Sequence, residues 1–443
     1  MFDLKDIQDL RFFNQFSGAR LQPQKVFHAG LGDLNAHNAF IMPGGNKAKY
    51  TYTEITPLYI HLSVTGRCQA SCQGCINIAF NDPEADTGVR KNVPFNDTDP
   101  VRDAHGIANL IKKNPYETVT ICLYGGEPLL VCDKIKALIE NINQKNLPNT
   151  IRYMLYTNGE LLEKAAESHP EMMRNIWLYS VSIDGTQEQH ERIRRGTNLK
   201  RIHKGLAAIN KIRQGQVLMW STLRENQSLI DCFNEFTHLY DRGLVDQFFW
   251  HWVEIGDPFQ NLPAYADSYV EDLQQIMDIY LAKLKTGILL PITHINELVL
   301  YLLSGKKRKQ TACGVELARN FDIVDGMIHS CADLPPQYAI GTIDADGFPH
   351  ITPQDLSWLT NYKNDLGCSK CGVHSYCGGR CPVQAATGSF ERLLQYCQLM
   401  RLHVATVNDY LDEITAALKN HNMTLQYIYD RSAFYVQFTD GTP

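Results

Sequence analysis

Over the first two thirds of the chain, short apolar runs alternate with longer amphipathic stretches. Residues 58–64, 118–124, 151–157, 176–183, 216–223 and 247–253 are short and rich in β-branched and aromatic residues. Several end at Gly, Asn or Asp, and the pattern predicts strands. Between and after them, 99–113, 133–143, 199–213, 226–241 and 264–284 repeat apolar residues at helical spacing. Strand followed by helix, over and over, predicts parallel strands with covering helices. Six such units fit a partial barrel, open on one side.

The alternation stops near Gln310. Residues 311–397 hold seven cysteines, many glycines and only short elements, which fits a small domain organised by metal rather than by a large apolar core. A helix is expected beyond Cys397, to about Lys419. Residues 425–438 alternate weakly, as a hairpin would. Residues 1–57, broken by glycines and prolines near 30–32 and 43–45, read as irregular. The expected division is an N-terminal extension over 1–57, a barrel over 58–309, a cysteine-rich domain over 310–400, and a C-terminal helix and tail over 401–443.

Composition narrows the class. Apolar residues make up 44% and charged residues 20% of 443, an ordinary soluble balance. A net charge of −6 gives no bulk attraction to nucleic acid or anionic lipid. The start, MFDLKDIQDL, lacks a basic region followed by a long apolar run, so no signal peptide is expected. No apolar run approaches the roughly 18 residues of a membrane span. No membrane partner is expected, and the cytoplasm is the expected location. Thirteen cysteines in such a chain point to metal or redox sites rather than disulfides.

The first cysteine group is Cys68-x3-Cys72-x2-Cys75, directly after the first strand. Three thiolates in so short a span can converge on one centre. A four-iron cluster normally takes four cysteines, so three leave one iron open, as catalytic metal sites leave a position for a reactant. A zinc site or buried thiols are the plainer alternatives. Gly125-Gly126-Glu127-Pro128 follows the second strand. Its glycines permit close backbone approach, and Glu127 can accept from an ammonium, although the four residues alone could be a mere turn. Thr157-Asn158-Gly159 ends the third strand and Ser182-Ile183-Asp184-Gly185 the fourth. All lie at the C-terminal ends of strands, where barrel enzymes place their active sites. Arg194 and Arg195, in HERIRRG, offer planar forks suited to a carboxylate, or are solvated helix charges.

The second group reads Cys313, Cys331, Cys368-x2-Cys371-x5-Cys377-x3-Cys381 and Cys397. Structural zinc is the alternative for its Cys-x2-Cys pair. Asp333, two residues beyond Cys331, is a candidate base or an ordinary loop acid. Cys122, Cys132 and Cys232 fit no pattern and read as buried residues.

CQASCQGC resembles the signature of the radical S-adenosylmethionine (SAM) superfamily. The resemblance implies that the open iron binds the amine and carboxylate of SAM. The reduced cluster then cleaves SAM to methionine and a 5′-deoxyadenosyl radical, which abstracts a substrate hydrogen. It also implies that Gly125, Gly126, Glu127 and Pro128 meet the methionine amine. Thr157, Asn158, Ser182 and Asp184 would be polar SAM contacts, the last two on the ribose side. Arg195 would pair the SAM carboxylate, with Arg194 its rival. The family usually has an aromatic residue before the third cysteine, where this chain has Gly74. The later cysteines are similar to the SPASM domain. The implied fold is α/β, a partial (β/α)6 TIM-type barrel with a C-terminal cysteine-rich iron–sulfur (SPASM) domain.

That similarity implies two auxiliary four-iron clusters, three with the SAM-binding one. Cys368, Cys371, Cys377 and Cys397 would hold one. Cys313, Cys331 and Cys381 would hold the other with a vacancy, because Arg319 stands where some relatives have a further cysteine. Glu316, Asp322 or the substrate would complete it. Enzymes with both parts commonly modify ribosomally made peptides by crosslinking or backbone excision. Sulfatase maturation, which oxidises one Cys or Ser to formylglycine, is the rival within the family. A cluster-bearing electron carrier and a zinc-stabilised scaffold are rivals outside it. The expected partners are a precursor peptide, an external reductant such as flavodoxin or ferredoxin, and a separate leader-binding protein. In the alternative, residues 1–57 cap the barrel and the peptide is recognised by its core sequence.

Overall fold

Six parallel strands form in sequence order from the six apolar runs. They are β1 (Leu58–Thr65), β3 (Thr118–Gly125), β4 (Thr150–Thr157), β5 (Ile176–Ser182), β7 (Gln216–Leu223) and β8 (Gln247–Trp252). Two-residue strands β2 (Ser71–Cys72) and β6 (Arg194–Arg195) pair with each other outside that sheet. The structure is a computed structural model. It describes residues 58–75, 96–113, 118–253, 258–304, 311–317, 320–331, 333–334, 336–352, 355–382 and 389–432.

The strands are apolar because both faces are covered. On β1, Leu58, Ile60, Leu62 and Val64 join the core under the helices, while Tyr59 joins Cys122, Met154, Leu178, Leu218 and Phe249 in an inner cluster. The sheet curls around that inner face. His61 on β1 lies 6.3 Å, ring to ring, from Tyr156 on β4, two strands away. Side-chain caps start the covering helices. Asn198 accepts from Arg201 N–H, Ser228 from Asp231 N–H and Asn261 from Ala264 N–H.

The cysteine-rich segment is not separate from this sheet. β9 (Asn320–Val324) pairs in parallel with β1, and β10 (Met327–His329), β11 (Gly341–Ile343) and β12 (Pro349–Ile351) follow as an antiparallel meander. The result is one ten-stranded sheet. Two further expectations change. The helix expected after Cys397 starts at Phe390 and runs to Asp409, and a second follows over Leu411–Asn420. The expected hairpin is instead a helix over Leu425–Arg431, capped by Thr424, because Leu425, Ile428 and Tyr429 fall on one helical face and bury there. The expectations for residues 1–57 and 433–438 lie outside the described residues. Among the described residues no helix is long and apolar enough to cross a membrane.

Candidate functional site

The Cys68–Cys75 loop leaves the C-terminal end of β1 and is pinned from two directions. Ser71 and Cys72 bridge to Arg195 and Arg194, and Gln73 N–H donates to Ile193 C=O at 2.9 Å. Ala70 N–H points at Cys68 Sγ at 3.4 Å. Gly74 has φ +64°, so the backbone favours glycine where the family's aromatic residue would stand. A side chain there would also meet Val253 and Arg224. Burial pushes the Cys68 thiol up to about 11 and raises Cys72 as well.

The Gly125–Pro128 turn lies directly against this loop. A Cβ on Gly125 would sit 2.2 Å from Thr65 O, and one on Gly126 2.2 Å from Arg67 O. Gly126 and Glu127 N–H donate to those same carbonyls at 2.7 and 2.8 Å. Glu127 is fully buried. Its carboxylate accepts from Thr157 Oγ1 at 2.7 Å, Asn158 N–H at 2.8 Å and Leu129 N–H at 3.1 Å. Burial lifts its carboxyl to about 7 even against these bonds. Asn158 Oδ1 accepts from Gln69 Nε2 at 3.1 Å, and its amide donates toward Cys68 Sγ at 3.8 Å. Thr157 and Asn158 thus belong to the same network as Glu127 and the cysteine loop. Pro128 is buried in the turn that follows.

A second network forms where β5 and β7 end. Asp184 is fully buried between two arginines. Arg194 Nη2 donates to it at 3.1 Å with Nε in ion-pair contact at 2.9 Å, and Arg224 Nη1 donates at 3.1 Å. Thr222 N–H adds a bond at 2.9 Å. Burial alone would raise the Asp184 carboxyl, but Arg194 and Arg224 hold it below its ordinary range. Arg224 Nε also donates to Gln73 C=O at 2.6 Å, joining the clamp to the cysteine loop. Arg195 is exposed, beside Ser71 in the short bridge. Ser182 is half-buried at the end of β5.

Residues 62–225 match the family described as the radical SAM superfamily. This stretch of the chain is a radical SAM domain, and enzymes of that superfamily use SAM and a four-iron cluster. It is 23% identical over 278 residues to the cysteine-type anaerobic sulfatase-maturating enzyme of Clostridium novyi, covering 60% of this chain and 73% of that one. A GTP 3',8-cyclase of Lactiplantibacillus plantarum is 25% identical over 222 residues, 50% of this chain and 60% of the relative. The solved structure of native anSMEcpe with bound AdoMet superposes with TM-score 0.61 at 17% identity, over 81% of this chain and all of that one, which shows a shared fold.

Inside the radical SAM barrel, half-buried rings stand above the inner apolar cluster: His61, Tyr124, Tyr156, Trp220 and His251. His61 and Asp322 are partners in the β1–β9 register, and His61 Nδ1 lies 2.7 Å from the carboxylate. Burial pulls the imidazole down, but Cys122 and Asp322 hold it well above its ordinary range. The Tyr124 hydroxyl is buried without a hydrogen-bond partner among the described residues. Burial first, then Asp322, Asp333 and Cys331, raise its pKa.

The later cysteines gather in two groups. Cys313, Cys331 and Cys381 pack around Val315, Leu334, Leu356 and Leu359. Cys368 and Cys397 share a cluster with Leu366, Leu393 and Leu394, and Cys371 and Cys377 act electrostatically on both. Among the described residues, no three His, Cys, Asp or Glu side chains are grouped as a single ion would need. These groups offer thiolates alone, the donor set that iron–sulfur clusters take. Asp333 N–H points at Cys331 Sγ at 3.4 Å. Glu316 accepts from Thr311 N–H at 2.7 Å and from the Thr311 hydroxyl. Asp322 is paired with His61. Cys122, Cys132 and Cys232 are buried.

Arg224, Tyr124 and His61 were not singled out from the sequence. Arg224 and Tyr124 sit at or just past the C-terminal ends of barrel strands, a position that was itself the available signal, whereas His61 lies mid-strand on β1 and had none.

Proposed function

We propose that this enzyme modifies a peptide or protein, using hydrogen abstraction to form a crosslink or excise a backbone fragment. The carrying observation is the placement of Tyr124. It stands among the half-buried rings of the barrel, directly before Gly125 and 5.8 Å ring to ring from His61, which is paired with Asp322 on β9 of the cysteine-rich segment. Cys68, Cys72 and Cys75 would hold the SAM-binding cluster, which when bound supplies the deoxyadenosyl radical. Gly125, Gly126, Glu127, Pro128, Thr157, Asn158, Ser182, Asp184 and Arg195 would shape the SAM pocket. Cys368, Cys371, Cys377 and Cys397 would hold one auxiliary cluster. Cys313, Cys331 and Cys381 would hold the other. Asp333, two residues beyond Cys331, would accept the proton the substrate loses.

Residues 58–309 would act as the barrel and 310–400 as the auxiliary domain, with β9 as the seam. A flavodoxin or ferredoxin would supply electrons, and a separate small protein would present the peptide leader. A second reading, formylglycine formation on a sulfatase, is favoured by the likeness to the Clostridium novyi maturase.

The test starts with anaerobically reconstituted, reduced protein. It should form 5′-deoxyadenosine from SAM, and the Cys68→Ala, Cys72→Ala, Cys75→Ala variant should not. Equal product from both would remove these cysteines from the site. Mass spectrometry of two added substrates then separates the readings: a short peptide encoded beside the gene, and a sulfatase-motif peptide carrying Cys or Ser. Modification of the second alone would sink the crosslink-or-excision reading.

A further inference from the structure

A buried arginine lies against one of the two later cysteine groups. Arg401 is on the helix Phe390–Asp409, one turn beyond Cys397, and spacing of i, i+4 puts the two on one helix face. Its side chain is only 4% exposed, and Nη2 donates toward Cys371 Sγ at 3.7 Å. Lys363, on the short helix Tyr362–Asp365 just before Cys368, runs its stem past Gly379, between Cys377 and Cys381. A guanidinium is costly to bury unless negative charge meets it. Four thiolates on one cluster supply that charge.

Beside Cys331 stand Asp333, whose N–H points at its Sγ at 3.4 Å, and Asp322, whose carboxylate is 2.7 Å from His61. Donors aimed at a cluster's sulfurs and positive charge beside it favour the reduced, more negative state. Carboxylates disfavour it.

We propose that Arg401 is a positioning residue that raises the reduction potential of the cluster held by Cys368, Cys371, Cys377 and Cys397. The two auxiliary sites then differ in electron affinity, with the higher affinity at the Arg401 end. This rests on the reading that both groups hold iron–sulfur clusters. It goes beyond that reading by ordering the two and naming the residue responsible.

The experiment uses the full chain carrying Cys68→Ala, Cys72→Ala and Cys75→Ala, so that only the later groups bind iron. Iron and sulfide are assayed first, and the protein is then titrated anaerobically with dithionite and followed by electron paramagnetic resonance. Two reductive waves are expected, and adding Cys331→Ser should remove or alter the lower one. Arg401→Gln should move the higher wave to lower potential and leave the other in place. Arg401→Lys, which keeps the charge, should recover most of the shift. Should Arg401→Gln fail to retain iron, Lys363→Gln serves instead, with a smaller shift of the same wave in the same direction. Full iron with no movement in either variant, or equal movement of both waves, overturns the proposal. A parent protein without iron overturns the cluster reading itself, and the role of Arg401 falls with it.

Discussion

The barrel and the cysteine-rich segment reach order by different means. In the barrel, a continuous apolar core runs under the helices, and the carboxylates of Glu127 and Asp184 at the strand ends are met by neighbouring side chains and backbone. Glu127 and Asp184 have their partners in place without any ligand. Between Cys313 and Cys381 the strands after β9 are three residues each, and the apolar clusters around the cysteines hold four buried residues apiece. Phe321, Ile323, Ile328, Ile340, Ile343, Val373 and Tyr376 of the same segment join the main core instead, so its strands are ordered by packing and its cysteine loops bury little of their own. Metal ligation would order those loops, as in other small metal-organised domains. Two elements tie the segment to the barrel. One is β9. The other is the helix Phe390–Asp409, whose Arg392 donates to Val253 C=O at 3.0 Å and whose Gln395 accepts from Phe259 N–H at 2.7 Å.

The contrast breaks if both regions respond alike to loss of their thiolates. Replacing Cys368, Cys371 and Cys377 with Ala should remove about four irons. It should also open the cysteine loops between Cys313 and Pro382 to protease, while the barrel stays protected. Replacing Cys68, Cys72 and Cys75 should also remove about four irons, yet leave the protease pattern and Tm close to those of the parent. Iron assay and limited proteolysis with mass mapping read both outcomes. Collapse of the barrel in the second variant would show that its order, too, depends on metal.

How much of this was legible follows from the same contrast. The six barrel strands are apolar on both faces and come with helices of regular period, so each could be placed to within a residue or two. The cysteine groups and the Gly125–Pro128 turn were legible because their spacing is unusual. β9 was not, because NFDIV is five residues long and its partner, β1, lies more than two hundred positions earlier in the chain. The clamp of Arg224 on Asp184 was hidden for a related reason. Sequence marked Asp184, but nothing local tells that an arginine after the next barrel strand will share it. Leu425–Arg431 misled because a weak alternation over a few positions also suits a helical face.

Two changes in the barrel sharpen the claim that its site is preorganised. Asp184→Ala leaves Arg194 and Arg224 buried without their carboxylate, and breaking a buried pair from one side costs about 3–5 kcal/mol. Urea denaturation should show that loss, and a change below about 1 kcal/mol would mean the arginines find water instead. Glu127 gives a pH signature. Its folded carboxyl lies at about 7, above the ordinary 4.5, so the folded state holds a proton that the unfolded chain has released. Its contribution is present below about pH 4.5 and is lost as pH rises to about 7, a fall on the order of 3 kcal/mol. Glu127→Gln should flatten that slope between about pH 4.5 and 7, and an unchanged slope would place the titration elsewhere.

The smallest expected effect concerns the two adjacent arginines. Arg194 already donates Nη2 to Asp184 with Nε in ion-pair contact, so its fork is occupied by the barrel's own carboxylate. Arg195 is exposed, and its backbone is bridged to Ser71, one residue from Cys72. A carboxylate brought to the cysteine loop would therefore meet the fork of Arg195 while that of Arg194 stays engaged. Arg195→Ala should weaken SAM binding by about 1.5–3 kcal/mol, the worth of a charge-assisted hydrogen bond, and leave folding stability unchanged. Arg194→Ala should do the opposite first, lowering stability because Asp184 loses its two-point partner. Equilibrium binding of SAM to the reconstituted enzyme, beside urea denaturation of the same variants, separates the two roles. If Arg195→Ala binds SAM as the parent does, while Arg194→Lys, still folded, binds it more weakly, the carboxylate contact belongs to Arg194. Its bonds to Asp184 would then serve to aim that arginine at the ligand.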